Sequence, residues 1–470
     1  MARTLISNLR GGIGPTGVQG VQGLPGTNAT PSDAAVAGYI STPGTSSTKT
    51  AMRTVLDVQA IDLASAAKIP IHSSLNFKTR VGAERLAGGQ YRTDITPMSM
   101  HVRGAGPTYY VDPVNGSNAN NGLTWATAVA DPAYASLLNS SAAAEIVVRG
   151  GFYTRAQCPQ IYRNIIIRAE EGTRPIFAAV DTVPTWTVTG ASYVYKVTKT
   201  GLIGVFDQKF RDADGDPTEL IPVANTSAVA STPGSWYSSG TELFIRLADN
   251  RAPDSSVLVN MNARVLTVNA AVVGNYSAYY EGIEFWVGAD ARLTEKGTDC
   301  RFLAKNCKFK FSGAGNGLTI LGMALTVLEN CEASKNYLDG FNYHESSGRL
   351  GEIVEINCVG RKNGKIAGSQ NGSSAHDGMN IVRVGGLYEL NAGGNIADVS
   401  GTKTHNIGVT AKNSTGYDYD FYTETGMWMD SCVATGSTVS LYANLGGTIY
   451  LRNTVYTGTK NVADGTVTTY

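Results

Sequence analysis

Four segments of this chain share one pattern: EGIEFWVGA (281–289), KNCKFKFSGA (305–314), ENCEASKNY (329–337) and INCVGRKNG (356–364). They place Ile283, Cys307, Cys331 and Cys358 in one column, with spacings of 24, 24 and 27 residues. Asn306, Asn330 and Asn357 stand one residue earlier in three of the four. DSCVATGS (430–437) and RNTVYTG (452–458) continue the series with Cys432 and Thr454, 22 apart, and the 74 residues from Cys358 to Cys432 make room for three turns. A period in the low to mid twenties marks a stacked solenoid. Each turn is two or three short strands that cannot bury their apolar side alone. Stacking the turns pairs every strand in parallel at about 4.8 Å, so a given position meets its own copies along the axis. A small apolar residue such as Cys suits an interior column. An asparagine at a bend can hydrogen-bond its copies above and below. The LxxLxL spacing of leucine-rich repeats is absent, and a propeller blade needs about 40 residues or more.

Composition agrees with strands and turns. Gly numbers 54 of 470, and Ser, Thr, Asn and Val are abundant. Lys plus Arg and Asp plus Glu are 38 each, so no basic field supports nucleic-acid binding. No apolar run is long enough for a membrane helix, so no membrane insertion is expected. The start MARTLISNLRGG lacks the apolar stretch of a secretory signal. The six cysteines form no CxxC pair. They are read as reduced core filling in a protein made in a reducing cytoplasm, with no cofactor and no metal expected.

The segment TYYVDPVNGSNANNGLTWATA (108–128) resembles the entry of pectate-lyase-like proteins, which are right-handed parallel β-helices. AEIVVRGGFYT (144–154) and RNIIIRAEEGTRPIFAAV (163–180) resemble the first turns of such a helix. The stretch from about 181 to 260, with its PGSWYSSGTELFIRL core, resembles the insertion found early in that family. It is expected to form a small β subdomain with Trp236 as a packing anchor. The implied fold class is all-β: a right-handed parallel β-helix over 106–470 carrying a β insertion.

Upstream, Gly11, Gly14, Gly17, Gly20, Gly23 and Gly26 stand three apart, with Pro15 and Pro25 between them. Only Gly fits the axis of a collagen triple helix, so this run reads as collagen-like or, alternatively, as a flexible linker. Collagen-like pairing implies three chains in register, a homotrimer. The following SDAAVAGYISTPGTSSTKTAMRTVLDVQA (32–60) resembles N-terminal segments of tail proteins from phages of actinobacteria. Residues 1–31 are therefore expected to attach to other tail proteins of a virion, and 32–105 to form a short helical neck or linker.

Function on a β-helix sits on an outer face, in grooves made by turn loops. RKNGKIAGSQNGSSAHDG (361–378) swells one turn, and LDGFNYHESSG (338–348) and TGYDYDFYTETGMW (415–428) should lie near it. Asp339 and Asp377 head similar DGFN and DGMN strands and are expected to stack. The candidate acids are Asp339, Glu345, Asp377, Asp420 and Glu424. The candidate glycan contacts are Tyr343, His344, His376, Tyr417, Tyr419 and Tyr422. Paired carboxyls can hydrolyse a glycosidic bond; aromatic faces and carboxylates can instead hold a sugar without cutting it. Asp-Gly is also an ordinary turn signal. Aspartates around 418–420 fit no known calcium loop.

The resemblances imply a tail fibre, spike or minor tail protein that binds a bacterial cell-surface glycan, or a tailspike depolymerase. The scattered His and Arg residues do not match a lyase's basic cluster, so binding is the expectation. A secreted pectate-lyase-like enzyme is disfavoured by the Gly-X-Y start and the missing signal.

Overall fold

The computed structural model describes residues 67–470, apart from 87–89, 103, 105, 139–143, 184 and 366–369. The Gly-X-Y run with Gly14, Gly17, Gly20, Gly23 and Gly26 lies outside the described residues, as does the helical pattern near residue 55.

Three parallel sheets of 12, 10 and 8 strands run the length of a β-helix. One coil shows the construction. Ser277–Glu281 lies in the first sheet, Glu284–Trp286 in the second and Ala291–Thr294 in the third. The next coil repeats them at Arg301–Lys305, Lys308–Lys310 and Leu318–Leu321. Pairing is in register, Ser277 with Arg301, Glu284 with Lys308 and Ala291 with Leu318. The column predicted from the cysteines is therefore real: Val359, Leu387, Thr410 and Val433 pair in succession, which puts three turns between Cys358 and Cys432.

Cys307, Cys331, Cys358 and Cys432 stand at the corner between the first and second sheets, Cys300 before a first-sheet strand and Cys158 beyond a second-sheet strand. All six are free and buried. The asparagines before them serve a backbone need more than a side-chain ladder. Asn306, Asn330 and Asn357 have φ of 54°, 52° and 51°, and Gly282 and Gly385 hold the same corner at 72° and 65°. Asn and Gly are the residues that tolerate this left-handed conformation. A single ladder bond joins two of them, Asn330 Nδ2 to Asn306 Oδ1 at 3.3 Å. The stronger ladder is at the next corner. There Asn336 donates to Asn363 at 2.9 Å, Asn363 to Asn391 at 3.0 Å and Asn391 to Asn395 at 2.9 Å, all buried. Each also satisfies a backbone carbonyl, of Phe309, Ala333 and Gly360 respectively.

The lumen is filled by like residues stacking on like. Tyr153, Phe177, Phe285 and Phe309 form a ring column, the last two parallel at 5.4 Å. One stretch of the lumen is polar. Arg383, fully buried, makes two bonds to Asp398 at 2.8 and 2.9 Å and approaches Glu355 within 3.9 Å. Glu355 accepts from Tyr343 and Ser373 at 2.8 and 2.7 Å, and from Tyr388. The first rung is closed by the helix Pro132–Leu137, whose Ala135 packs with Tyr109 and Ile146.

Two lateral faces are covered by the chain itself. Residues 67–101 do not form a neck. They make a small antiparallel sheet, Ala67–Pro70, Gly82–Arg85 and Tyr91–Thr93, that straps the outside of the first sheet. Leu75 and Ala83 pack on Val382, Val384 and Ile407, and Val81 and Ile95 on Leu303, Val327 and Val354. His72 stacks on Trp428 at 4.0 Å. The second sheet is covered over its early turns by an excursion that leaves after Val180–Thr182 and returns at Val257–Met261. Its Trp236 packs with Leu243, Ile245 and Val205.

The excursion is held by an ammonium cage that the sequence reading passed over. In DADGD, Asp212, Asp214 and Asp216 come close enough together to hold a cation. Lys335 Nζ lies among them, at 2.6, 2.8 and 2.7 Å. Lys310 adds a buried contact to Asp216, and Lys362 and Arg361 bind Asp214. The cage is thus filled by the protein's own cation.

Candidate functional site

The third sheet carries the remaining lateral face. Its strands Phe341–His344, Ser373–Ala375, Ile396–Val399, Tyr417–Tyr422 and Val439–Asn444 lie on successive rungs. Alternation decides which residues look out. Phe341, Tyr343, Ile396, Tyr419 and Phe421 point into the lumen and join the main core. Asn342, Ser374, Ala397, Asp420 and Tyr442 form one outward column. His344, Val399, Tyr422 and Asn444 belong to a second, two residues further along each strand.

Two candidate glycan contacts are therefore corrected. Tyr343 and Tyr419 are 0% exposed; they are core residues whose hydroxyls bond Glu355 and the Val409 carbonyl. Their rings were expected to face a sugar, but strand parity turns both inward. The expected stacking of Asp339 and Asp377 also fails. Asp339 leads into the third sheet, and its neighbour on the next coil is Asn371; Asp377 follows the third sheet and leads into the first-sheet strand Asn380–Val384. The two Asp-Gly turns occupy different corners.

The other candidates gather on the outward side. Asp339 is buried and accepts from the Asn371 backbone N–H at 2.6 Å, Asn342 Nδ2 at 2.8 Å and Ser374 Oγ at 3.0 Å. Burial raises its carboxyl above the usual range against those bonds. His376 accepts from or donates to Ser374 Oγ at 2.9 Å and stacks on His344 at 4.1 Å. Burial pushes the His376 imidazole down to about 4, so it is neutral at pH 7. His344 bonds Asp377 at 2.8 Å, and Glu345 turns back onto the Gly348 N–H.

Two rungs beyond Ser374 stands Asp420. Burial, then the Asp398 charge, raises its carboxyl to about 7. Its Oδ1 is buried without a hydrogen-bond partner. Ala397, 4% exposed, is the small residue between Ser374 and Asp420 in that column. Tyr417 stacks on Tyr442 with centroids 4.6 Å apart, and Tyr422 is 42% exposed. Glu424 lies exposed in the loop after the strand. Asp418, next to the tyrosine pair, is a corner residue whose carboxyl binds Asn395, Ser437 and Ser440; burial raises it to about 6.

Sequence reading missed Ser374, Ala397 and Tyr442. Tyr442 carried a usable signal: the YxY of 417–419 and the LYAN of 441–444 are one period apart, and parity then pairs Asp420 with Tyr442. A small cavity bounded by Ser136, Gln160, Tyr162 and Ile165 lies at the capped end, away from this face.

No protein-family model and no curated protein sequence matches the chain. Among solved structures it is similar to XylC in complex with xylose: 12% identity, 76% of this chain and 69% of that one, TM-score 0.49. It is also similar to the pectate lyase Pel9A, at 14% identity, 78% and 80% coverage and TM-score 0.41. The tailspike gp49 of Pseudomonas phage LKA1 matches at 11% identity, with 69% of both chains covered and a TM-score of 0.23. The parallel β-helix itself rests on the rung pairings above.

Proposed function

We propose that this protein is a phage tail component, a fibre, spike or minor tail protein, whose β-helix presents its third-sheet face to a glycan on the bacterial cell surface. The observation that carries the reading is the partly exposed set of hydrogen-bonding and aromatic side chains on that face. The first sheet is occupied by residues 67–101 and the early second sheet by the excursion. The third leaves His376, Asp420, Tyr442 and Tyr422 at least partly exposed, backed by the buried Asn342 and Ser374, a surface suited to hydroxyl hydrogen bonds and ring stacking. The tail assignment, the attachment of residues 1–31 to other tail proteins and the homotrimer are supported by the sequence resemblances and the Gly-X-Y run.

Asp420 favours a second reading, the depolymerase. A carboxyl near pH 7 is poised to give a proton to a glycosidic oxygen. One experiment separates the readings. Intact protein is incubated with bacterial envelope polysaccharide, and retention and newly formed reducing ends are measured. Retention without release supports the binder; release that Asp420→Asn abolishes supports the enzyme. Unchanged retention by Ala397→Trp, which obstructs the face, removes the third sheet from both.

A further inference from the structure

We infer that the third-sheet face takes a neutral or amino-sugar polymer and excludes polyuronates and other polyanionic glycans; this rests on the glycan-recognition reading above. The argument is a census of charge. The five rung segments that build the face, 338–345, 370–378, 393–400, 416–424 and 438–446, contain no Lys and no Arg. The whole chain is neutral in formal charge, so the bias is local. Five carboxyls stand on or beside the face: Asp339, Glu345, Asp377, Asp420 and Glu424.

Most charges near the face are engaged elsewhere: Arg292, two rungs before Asn342 in the same column, binds Asp290, while Lys403 and Lys460 lie just outside the five rungs. Arg383 is inside the lumen with Asp398. Lys335, Lys362 and Arg361 are held at the second-sheet side by the aspartates of the excursion. Lys365 reaches Glu219, and Arg349 turns to the Gly297 carbonyl beside Glu295. His376 is neutral, and His344 is committed to Asp377. A polymer with one carboxylate on every sugar would lay a row of anions beside Glu345, Asp377 and Glu424, with no Lys or Arg within the five rungs to meet it. Neutral hydroxyls meet acceptors and stacked rings instead, and a free amine adds a favourable charge. Within these five rungs no Lys or Arg side chain stands ready to neutralise a uronate carboxylate for β-elimination, so side chains alone would support hydrolysis at this face.

The test is an array of bacterial envelope polysaccharides grouped as neutral, amino-sugar-containing and uronate-containing, probed with the full chain and with Ala397→Trp. Retention is expected on neutral or amino-sugar polymers, lost in Ala397→Trp, with polygalacturonate unbound. Combined Asp377→Asn and Glu424→Gln is expected to raise polygalacturonate retention about fivefold at low salt, from two unit charges roughly 8 Å from the ligand, and less at high salt. Uronate binding that Ala397→Trp abolishes overturns the charge inference and leaves glycan recognition standing. Retention that survives Ala397→Trp places the ligand elsewhere and overturns it too. An array with no bound polymer of any class overturns the glycan reading itself, and this inference with it.

Discussion

Replacing Arg383 by Met isolates the one charged stretch of the lumen. Arg383 and its two acidic neighbours, Glu355 and Asp398, are all 0% exposed. The acids are not equally dependent on it. Glu355 keeps the hydroxyls of Tyr343, Ser373 and Tyr388 after the change. Asp398 loses both of its guanidinium bonds. Removing one partner of a buried ion pair costs about 3–5 kcal/mol, because the other charge stays buried. Arg383→Met should therefore destabilise by that order, mostly through Asp398. Adding Asp398→Leu should recover much of the loss, because no unpaired charge remains. The single variant should also suffer less at pH 5 than at pH 8, since a stranded carboxylate can take up a proton. Urea denaturation midpoints followed by near-UV circular dichroism, at both pH values, measure all three. A double variant no more stable than Arg383→Met, or a loss independent of pH, would refute the assignment of the cost to a stranded Asp398.

Three further outcomes follow from single features. Lys335→Met empties the ammonium cage and should loosen the 212–216 loop, read as faster limited proteolysis there and a stability loss of about 2–4 kcal/mol; an unchanged cleavage rate counts against the cage as the anchor. All six thiols are free and buried, so Ellman's reagent should find none in the native protein and six after denaturation without reductant, whereas fewer than six would reveal disulfides. Asp420 has its folded pKa raised to about 7 from an unfolded value of 3.8, so the folded state holds the proton over that window and stability falls as pH rises through it. Asp418, raised to about 6, adds the same sign over a narrower window. Asp420→Asn should lose less stability between pH 5 and 8 than the wild type, by on the order of 1–3 kcal/mol, and parallel curves would contradict a protonated Asp420.

The solenoid was legible because identity stacks on identity. Cys307, Cys331 and Cys358 needed no structural information beyond their spacing, and the three coils between Cys358 and Cys432 followed from length alone. The reason for Asn306, Asn330 and Asn357 was less visible. A left-handed corner and a side-chain ladder both favour asparagine, and only φ separates them. The face was legible as a region but not residue by residue. Tyr343 and Tyr419 sit in YH- and YxY-type stretches that look like surface, and a one-residue change in strand parity exchanges lumen for solvent. The strap over 67–101 was missed because its apolar residues follow no single period; Leu75, Val81 and Ile95 are spaced by the needs of a surface contributed by at least five different coils.

The three lateral faces differ in what they demand of a partner, and that difference supports the assignment of the third. The first sheet's outer columns are Tyr279, Leu303, Val327, Val354 and Val382, apolar residues that water would not tolerate bare; the chain covers them itself. Over its early turns the second sheet's outer residues are charged, Glu284, Lys308, Glu332 and Arg361, and pair with one another or with the aspartates of the excursion. Its later rungs turn Val359, Leu387, Thr410, Val433 and Val455 outward, an apolar strip rather than a row of donors and acceptors. On the third, the Asp420 Oδ1 lacks a partner, Tyr422 is exposed, and donors and acceptors recur at about 4.8 Å along the axis. A polypeptide strap could cover such a surface only by aligning its own polar groups with each rung. A linear polysaccharide, with hydroxyls and flat sugar faces repeating along its length, would meet the same row without folding anything new, which is why the proposal places an external polymer on the third face.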